Sequence, residues 1–525
     1  MKNLTSSVYT FEKLIDGNFL YVDKTEYIWK LIQPAYAQYF LSRPRRFGKS
    51  LTVSTLEAIF QGKRELFKGL ALYDKPYDWK QYPVIHLDFG DIKSSSPEQL
   101  EDSLQQLVAE IAAQFEVPLK TSNAQAQFRE LVLALGKNEK IVILIDEYDK
   151  PILGNVTNPE IDEILKELKG FFSVVKATEP YQRFVLLTGV SKFSHVSIFS
   201  DLNNLTDITA EADFATMLGY TQEELEYYLG ERIDELAERS ENSKEEMLSK
   251  IKAWYNGYRF HADANTVYNP VSLASFFRNK GEFNNYWFQT GTPTFLLKLM
   301  KERDFNYSEA LTSPVSGSFF NSFEISNLDP LVLLYQTGYL TIDKAVDVQM
   351  PYSNRIIRKY YLHFPNLEVE ESFNECVLDY YVAMKKGSAQ QFQEELVTAV
   401  GDGNVDKFMD ILKSVFANIP YSLHLKGEQN YQTVFYVICD MLRLYVQAES
   451  YTNDGRIDMV VEAGNWVYIL EFKLDQSAEK ALKQIHEKNY AQKFRHRGKR
   501  IMLIGVNFDS ESGQIEKWIS EELKD

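Results

Sequence analysis

Residues 40–51 read FLSRPRRFGKSL, in which an apolar strand runs into an arginine-rich turn that ends in Gly48, Lys49 and Ser50. These residue types between a strand and a helix are those of a phosphate-binding loop. The backbone N–H groups and the helix N-terminus hold the phosphates, the lysine reaches the β and γ oxygens, and the serine ligates Mg²⁺. Arg43 stands where that motif has its first glycine, so the match is incomplete. A helix start with surface cations is the alternative interpretation.

A second motif further along the chain strengthens the first. Five aliphatic residues at 141–145 are followed directly by Asp146 and Glu147. In P-loop ATPases a buried strand ends in a carboxylate that holds Mg²⁺ and in a second group that polarises the attacking water. A buried strand followed by an acidic turn is common, yet both motifs occur in the expected order and on the expected elements. The predicted nucleotide-binding residues are Arg45, Arg46, Gly48, Lys49, Ser50 and Asp146, with Ser50 and Asp146 on the metal and Glu147 catalytic.

Around these motifs, short aliphatic runs alternate with amphipathic stretches, which predicts a parallel sheet covered by helices. The predicted strands are residues 39–42, 83–89, 141–145 and 183–190, and the predicted helices are residues 51–61, 97–115, 125–135 and 159–176. Thr188, Ser191 and Lys192 follow or end the fourth strand. They either sense the γ-phosphate or cap the next turn.

The residue pattern of the chain changes twice after this α/β region. From about residue 221 the pattern is mostly helical and rich in Tyr and Phe, and LVLLYQTGYLTID at 331–343 predicts a helix, a turn at Gly338 and a strand, as in winged-helix folds. The end of the chain mixes predicted helices at 428–444 and 478–494 with predicted strands at 445–450, 457–462, 466–472 and 500–506. The predicted domains are a P-loop ATPase domain with a parallel sheet (1–215), a helical, winged-helix-like lid domain (216–375), a helical bridge (376–420) and an α/β restriction-endonuclease-like domain (421–525).

The last domain carries a second group of charged residues. GRID at 455–458 is separated by twelve residues from Glu471, and Lys473 follows two positions later. A hairpin turning near 463–465 places Asp458 beside Glu471, while Glu471 and Lys473 share one face of their strand. Two carboxylates and an amine suit metal-dependent phosphodiester hydrolysis, in which Asp458 and Glu471 bind Mg²⁺, or Mn²⁺, and Lys473 orients or deprotonates water. A surface hairpin with its charges in solvent is the alternative.

Several strings together resemble the bacterial AAA-ATPase-like family. They are FLSRPRRFGKSL, YVDKT at 21–25, LIDEYDKPIL, LTGVSKFS and YNGYRF, with GRID near the C-terminus. The resemblance extends over essentially the whole chain. It implies that the arginine-rich loop serves as Walker A without the first glycine, that Asp146 and Glu147 form the Walker B pair, and that a PD-(D/E)XK nuclease domain follows. For YNGYRF, Arg259 as a sensor or finger competes with the preferred interpretation, a packed turn around Asn256 and Gly257.

The same resemblance implies further nuclease residues. Gln484, on the helix after the two strands, is implied as a catalytic residue, and Tyr490 is left out because it lies six positions later rather than the usual four. An acidic residue before the core is implied as a metal ligand. Glu428 is the predicted one, with Glu449 competing for the role.

Composition limits the partners. The chain has 525 residues, and 74 acidic against 57 basic side chains give a net charge of −17, which excludes a globally cationic surface. Eight basic residues and one acid, Glu487, lie between 480 and 500, in a strip that either clamps a phosphate backbone or forms a solvated helix face. Two cysteines without CxxC spacing, the absence of a leader-like start and the lack of a run of spanning length predict a cytoplasmic protein with no membrane partner.

The leading hypothesis is an ATP- and Mg²⁺-dependent ATPase coupled to a nuclease that cuts nucleic acid, with DNA favoured, in defence or DNA processing. The role in defence or DNA processing rests on the resemblance alone. One alternative is an ATP-gated switch or interaction protein whose nuclease-like domain binds without cutting. Another is an ATPase that remodels nucleic acid. A homo-oligomer is left open, since ATPases of this kind often need a neighbour's arginine.

Overall fold

A computed structural model describes the chain with several gaps, namely residues 193–203, 288–293, 304, 306–310, 312, 322–328, 351–354, 383–388, 418–427, 442–444, 453–454 and 524–525. The chain divides into two compact units. The first comprises Met1–Thr290 and Val315–Val369, and the second comprises Gly291–Pro314 and Glu370–Asp525. The boundaries of the four domains drawn from the sequence remain a prediction.

Five parallel strands form the central sheet of the first unit, in the order β2-β3-β4-β1-β5. They are β1 Ala37–Ser42, β2 Val84–Asp88, β3 Ile141–Asp146, β4 Gln182–Gly189 and β5 Thr206–Asp207. The strands β3 and β4 are buried along their whole length, as expected for a parallel sheet covered on both faces. The four predicted strands are confirmed to within two residues. The fifth, β5, is too short to give a sequence pattern.

The helices that accompany this sheet in the described residues follow in chain order. They are α1 Phe11–Asp16, α2 Thr25–Ile32, α3 Lys49–Phe60, α4 Pro97–Gln114, α5 Ala124–Leu135, α6 Lys150–Leu153 and α7 Ile161–Ala177. Helix α3 packs on β2, β3 and β4, and α4, α5 and α7 pack on one another. Ser96 and Asn123 cap α4 and α5 by accepting backbone N–H groups of their first turns. The four predicted helices are confirmed to within two residues, and the strand–loop–helix order that a phosphate loop requires is present.

The following segment is mostly helical, as predicted. Its helices are α8 Gln222–Arg239, α9 Lys244–Tyr255, α10 Pro270–Arg278, α11 Thr294–Glu302 and α12 Pro330–Thr337, of which α11 belongs to the second unit. Both α8 and α9 begin with a capping box, in which Thr221 and Ser243 exchange hydrogen bonds with the glutamate three residues later. Leucines, isoleucines and tyrosines of α8, α9 and α10 share one buried cluster.

A small antiparallel sheet follows α12, in the order β6-β8-β7. Its strands are β6 Val315–Ser316, β7 Thr341–Gln349 and β8 Ile356–His363. Gly338 ends α12 in the left-handed conformation, with φ of 90°, and turns the chain into β7. The helix, glycine turn and strand predicted from LVLLYQTGYLTID are therefore confirmed.

The C-terminal part is a mixed α/β structure whose sheet has the order β13-β12-β11-β10-β9. Its elements are α13 Leu367–Val382, α14 Ala389–Gly401, α15 Val405–Ala417, α16 Glu428–Met441, β9 Tyr445–Thr452, β10 Gly455–Ala463, β11 Trp466–Leu474, α17 Ala478–Glu487, β12 Arg500–Asp509 and β13 Gln514–Leu523. Strands β11 and β12 are parallel, and the other neighbours are antiparallel. Helix α17 packs on β11, β12 and β13.

The sequence was misinterpreted at two places in this sheet region. A helix predicted over 478–494 ends at Glu487, because Asn489 takes the left-handed conformation, with φ of 47°, and a 3₁₀ segment, Tyr490–Arg497, replaces the rest. Strand β13 was not predicted, since its charged sequence lacks a continuous apolar face. The predicted α/β fold class is confirmed. It has a parallel ATPase-like sheet, a helical, winged-helix-like part and a mixed C-terminal sheet.

Two further observations concern membrane-spanning helices and the cysteines. Within the described part of the chain, no helix is both long and apolar enough to cross a membrane. Cys376 and Cys439 are buried thiols, as expected.

Candidate functional sites

The predicted phosphate loop lies between β1 and α3 and makes its turn in an unusual place. Arg46 and Gly48 take left-handed backbone conformations, with φ of 69° and 94°. Arg43 does not, so the position that lacks glycine does not need its freedom. No atom lies within 4 Å of the position that a Gly48 Cβ would occupy. The loop therefore leaves open space at the N-terminus of α3, where an anion would meet backbone N–H groups.

Lys49 is buried inside this loop. Its side-chain Nζ donates to the carbonyl oxygens of Arg43 and Pro44, each at 3.0 Å, and the residue is 6% exposed. Burial lowers the pKa of Lys49, and the nearby carboxylates, first Asp146, oppose that shift. Ser50 is partly buried in the first turn of α3, and Arg45 and Arg46 are exposed.

The carboxylates at the end of β3 lie close to this lysine. Asp146 is 3% exposed, and its Oδ1 accepts the Thr188 hydroxyl and the backbone N–H of Glu147, the latter at 3.0 Å. Glu147 has a left-handed backbone, with φ of 52°, and its partly exposed Oε2 lies 3.6 Å from Lys150 Nζ. The structure thus brings together the loop lysine and the pair of carboxylates that the sequence placed far apart.

A third carboxylate in this region was missed in the sequence. Asp149 Oδ2 accepts the Ser191 N–H at 2.7 Å, the Ser191 hydroxyl at 2.6 Å and the Val190 N–H at 3.0 Å. Burial raises the pKa of Asp149. Lys192 Nζ lies 2.5 Å from Asp207 Oδ2, so Thr188, Ser191 and Lys192 all contact carboxylates. The third acidic residue of IDEYD, Asp149, was the available signal.

The YNGYRF segment forms a packed turn, the preferred interpretation of that string. Asn256 Oδ1 accepts the Gly257 N–H at 2.7 Å, and Gly257 has φ of 112°. A Cβ on Gly257 would lie 1.7 Å from the Pro365 carbonyl oxygen, so only glycine fits there. The Arg259 guanidinium donates to the Asp343 carbonyl.

Two substitutions of Arg46 should separate backbone strain from phosphate binding. We expect Arg46→Ala and Arg46→Gly both to weaken ATP binding about tenfold, since each removes a cation from the loop. Only Arg46→Gly relieves the left-handed strain. Its free energy of unfolding should therefore be about 1 kcal/mol larger than that of Arg46→Ala. Calorimetric titration with ATP and urea unfolding give the two values. Unchanged ATP affinity in both variants would remove Arg46 from the binding residues.

The second candidate site lies on the hairpin of β10 and β11. The hairpin turns at residues 464–465, with Ala463 opposite Trp466, as predicted. Asp458 Oδ2 accepts the Phe472 N–H at 2.8 Å, which fixes its carboxylate beside Glu471. Glu471 is 1% exposed, and its Oε1 accepts Lys473 Nζ at 3.0 Å and the Gln484 amide. The four predicted residues Asp458, Glu471, Lys473 and Gln484 are therefore brought together.

The electrostatics of Glu471 fit a bound cation. Its Oε2 is buried and has no hydrogen-bond partner among the residues that the structure describes. Burial, and then the neighbouring Asp458, raise the pKa of Glu471, while Lys473 opposes the shift. A buried carboxylate oxygen without a donor is costly unless a charge compensates it. A divalent cation with oxygen ligands would provide that compensation, with Asp458 and Glu471 as its protein ligands.

The further metal ligand stays a prediction. Glu428 is the first residue of α16 and Glu449 lies on β9, but both side chains are outside the described part. Among the described residues, no group of three or more His, Cys, Asp or Glu side chains is arranged to hold a metal ion.

Tyr490, whose spacing of six made it doubtful as a site residue, lies near this site. It is buried, and burial, followed by the charges of Glu471 and Asp458, raises its pKa, while a hydrogen bond with Gln484 opposes the shift. The spacing of six is accommodated because α17 ends before Tyr490 and the chain turns at Asn489.

The basic strip is less charged than its sequence indicates. Glu462 on β10 pairs with Arg497 and Lys499, and Glu522 on β13 pairs with Arg500. Exposed Lys480, Lys488 and Arg495 have no ion pair among the described residues. Lys483 also pairs with Glu487, and Lys493 lies over the Phe494 ring. Lys480, Lys488 and Arg495 are the cations that we expect to attract a phosphate backbone most strongly.

Comparison with known proteins defines the class. Residues 6–199 match the family model described as "Predicted AAA-ATPase", and residues 426–518 match the PD-(D/E)XK nuclease superfamily. The first match contains the phosphate loop and the β3 carboxylates, and the second contains Asp458, Glu471, Lys473 and Gln484. The protein is thus an AAA-ATPase-like chain with a C-terminal domain of the PD-(D/E)XK nuclease superfamily.

A relative matches along the whole length. The "Uncharacterized protein in vnfD 5'region" of Azotobacter chroococcum mcd 1 is 37% identical over 536 residues, which cover 99% of each chain. The chain belongs to the same family as that protein. Among solved structures, that of the Aeropyrum pernix ORC2 protein, titled as its ADPNP-ADP complexes, is similar over 71% of this chain and 94% of its own, at 12% identity and a TM-score of 0.22.

Proposed function

We propose that this protein binds and hydrolyses ATP with Mg²⁺ at the loop 43–50 and cuts nucleic-acid phosphodiesters, with DNA favoured, at the Asp458–Glu471–Lys473 site. The nucleotide state of the first site regulates the second. Such an enzyme acts in defence against foreign nucleic acid or in DNA processing. The observation that carries the proposal is the buried Oε2 of Glu471, which lies beside Asp458 and Lys473 and has no hydrogen-bond partner in the described part of the chain.

The nucleotide site is supported by the charges around the loop. Lys49 holds two loop carbonyls and lies near Asp146, so a phosphate entering at Gly48 meets an already oriented ammonium. Asp146 and Ser50 would hold the magnesium ion, which neutralises charge on the β and γ phosphates when bound. Glu147, partly exposed at the end of β3, would orient the attacking water. Arg45 and Arg46 are exposed to solvent, so their guanidinium groups could contact the phosphate oxygens of a bound nucleotide.

The nuclease site is supported by its hydrogen bonds. Asp458 and Glu471 would hold a divalent ion, which supplies a water of lowered pKa and offsets charge on the phosphate. Gln484 and Lys473 both donate to Glu471 Oε1, which leaves Oε2 as the oxygen available to the ion. The Lys473 ammonium is thereby held where it can orient water or contact a phosphate oxygen. Lys480, Lys488 and Arg495 would attract the nucleic-acid backbone.

A cleavage assay tests the proposal. Labelled single- and double-stranded DNA and RNA are incubated with the purified full chain and Mg²⁺ or Mn²⁺, with and without ATP, beside Lys49→Ala. We expect metal-dependent cutting of at least one substrate, which EDTA abolishes. Lys49→Ala should lower ATP hydrolysis by about 10²-fold and remove any effect of ATP on cutting, because the phosphates lose their buried cation.

Each negative outcome points to a different part of the proposal. Cutting that is equal with and without ATP would contradict the coupling and leave two independent activities. If the chain binds ATP and nucleic acid but cuts none of the substrates, the result would favour the ATP-gated switch. ATP hydrolysis that nucleic acid stimulates strongly, without cutting, would favour a remodelling ATPase.

A further inference from the structure

The phosphate loop contacts residues that lie two to three hundred positions downstream in the same unit. Phe47 is 1% exposed, and its ring packs edge-on against Tyr258 at 4.7 Å and Phe260 at 5.4 Å between centroids. The Trp287 indole N–H points to the Arg45 carbonyl at 3.4 Å. The loop is therefore enclosed by aromatic groups that do not belong to the ATPase-like match.

Arg43 fixes the start of the loop from the inside. Its guanidinium donates to the carbonyls of Ser42, Thr209 and Phe214, at 2.6 to 3.1 Å, and stacks on Phe260 at 4.2 Å. The residue is 1% exposed. An arginine in place of the first glycine thus anchors the loop to its surroundings, so the loop's shape depends on external contacts rather than on a flexible glycine.

Gly338 also approaches the loop closely, at Pro44. A Cβ on Gly338 would lie 2.6 Å from Pro44 Cβ and 2.8 Å from Pro44 Cγ. Pro44 supplies one of the two carbonyl oxygens that hold Lys49. Helix α12, which Gly338 ends, also reaches the end of β4, where Gln336 Oε1 accepts the Lys192 N–H at 3.1 Å.

We propose that Tyr258, Phe260 and Gly338 form a brace that holds the phosphate loop in its nucleotide-binding shape, with Gly338 as a positioning residue. The inference rests on the proposed nucleotide-binding function of the loop. Because coupling between two sites is reciprocal, a nucleotide bound to the loop in turn stabilises the brace. The winged-helix-like segment is then a regulatory part of the ATP site: whatever displaces α12 weakens nucleotide binding.

A matched pair of glycine substitutions tests the brace. Gly338 and Gly69 have left-handed φ values of 90° and 84°, but nothing lies within 4 Å of a Cβ on Gly69. Gly338→Ala and Gly69→Ala therefore carry the same backbone strain, and only the first displaces Pro44. Calorimetric titration with ATP and Mg²⁺ should give a dissociation constant at least about tenfold higher for Gly338→Ala, since small displacements of positioning groups have large effects. Gly69→Ala should bind within twofold of the wild type.

Hydrogen exchange of the wild-type chain gives a second measurement that needs no variant. ATP and Mg²⁺ should slow exchange at residues 256–260 and 338–341 as well as in the loop. Equal ATP affinity of the two variants, or protection confined to the loop and the end of β3, would overturn the brace while leaving nucleotide binding intact. A wild-type chain that shows no ATP binding and no protection would overturn both the nucleotide site and the brace.

Discussion

Replacing Lys473 by alanine is expected to lower metal-dependent cleavage of nucleic acid by roughly 10²–10⁴-fold, the range found when a positioned proton-transfer group is removed. The Lys473 side chain is 12% exposed, and its Nζ is held 3.0 Å from Glu471 Oε1 and 2.8 Å from the Phe472 carbonyl. Under the proposed function, the variant lacks the ammonium that would lie beside the reacting phosphate. ATP hydrolysis should be unchanged, because the lysine is not part of the phosphate loop. Initial rates on the preferred labelled substrate measure the effect.

Lys517→Ala is the matched control for this variant. Lys517 lies on β13 of the same sheet, is 58% exposed in its side chain, and pairs with Glu479 at the surface. Its removal should change neither cleavage nor ATP hydrolysis. Equal cleavage rates for the Lys473 and Lys517 variants would exclude the amine from the reaction.

The pH dependence gives an additional readout of the Lys473 variant. Lys473 lowers the pKa of Glu471, which burial and Asp458 raise. Its loss should therefore raise that pKa further, and the deprotonated carboxylate that binds the ion would form only at higher pH. The residual cleavage of the variant should accordingly increase at higher pH than cleavage by the wild type.

Lys24→Met is expected to cost about 3 kcal/mol of the stability of the first unit, the lower end of the range for breaking a buried ion pair. Lys24 Nζ lies 2.7 Å from Glu224 Oε2 and 2.9 Å from the Thr216 carbonyl, and the lysine is 8% exposed. Methionine fills similar space but leaves both acceptors without this donor. The first unfolding transition in urea, followed by circular dichroism, measures the change.

Two comparisons make this result specific. Lys63→Met removes the ammonium of an exposed pair with Glu12, 39% and 45% exposed, and should cost no more than about 1 kcal/mol. In Lys24→Met/Glu224→Gln the uncompensated charge is also removed, while glutamine preserves the capping box. The double variant should therefore be more stable than Lys24→Met alone. If Lys24→Met loses no more stability than Lys63→Met, the Lys24–Glu224 pair does not stabilise the position of α8.

Much of the architecture could be predicted because it depends on local patterns. The aliphatic run at 141–145 can be satisfied only by burial, so it identified β3 and the carboxylates at its end. The loop 43–50 could likewise be recognised from a local pattern, because it lies between an apolar strand and a helix. The two-residue turn at 464–465 placed Asp458 beside Glu471, because pairing register follows from turn length.

Other features were invisible in the sequence because they depend on contacts between distant residues. The Lys24–Glu224 pair joins residues two hundred positions apart, and either side chain alone would have been taken for a surface charge. Helical spacing makes Tyr490 doubtful as a site residue, because nothing in the sequence indicates that Asn489 takes a left-handed conformation.

Local sequence patterns identify the candidate chemical residues: Lys49 and Asp146 in one unit, and Asp458, Glu471 and Lys473 in the other. Which of their atoms have hydrogen-bond partners follows only from the folded chain. Folding buries Glu471 Oε2 with no donor among the described residues, and it brings Gly338 against Pro44. The physical reason is that hydrophobic periodicity and turn chemistry act over a few residues, whereas desolvation and steric contact depend on everything that folds around a group.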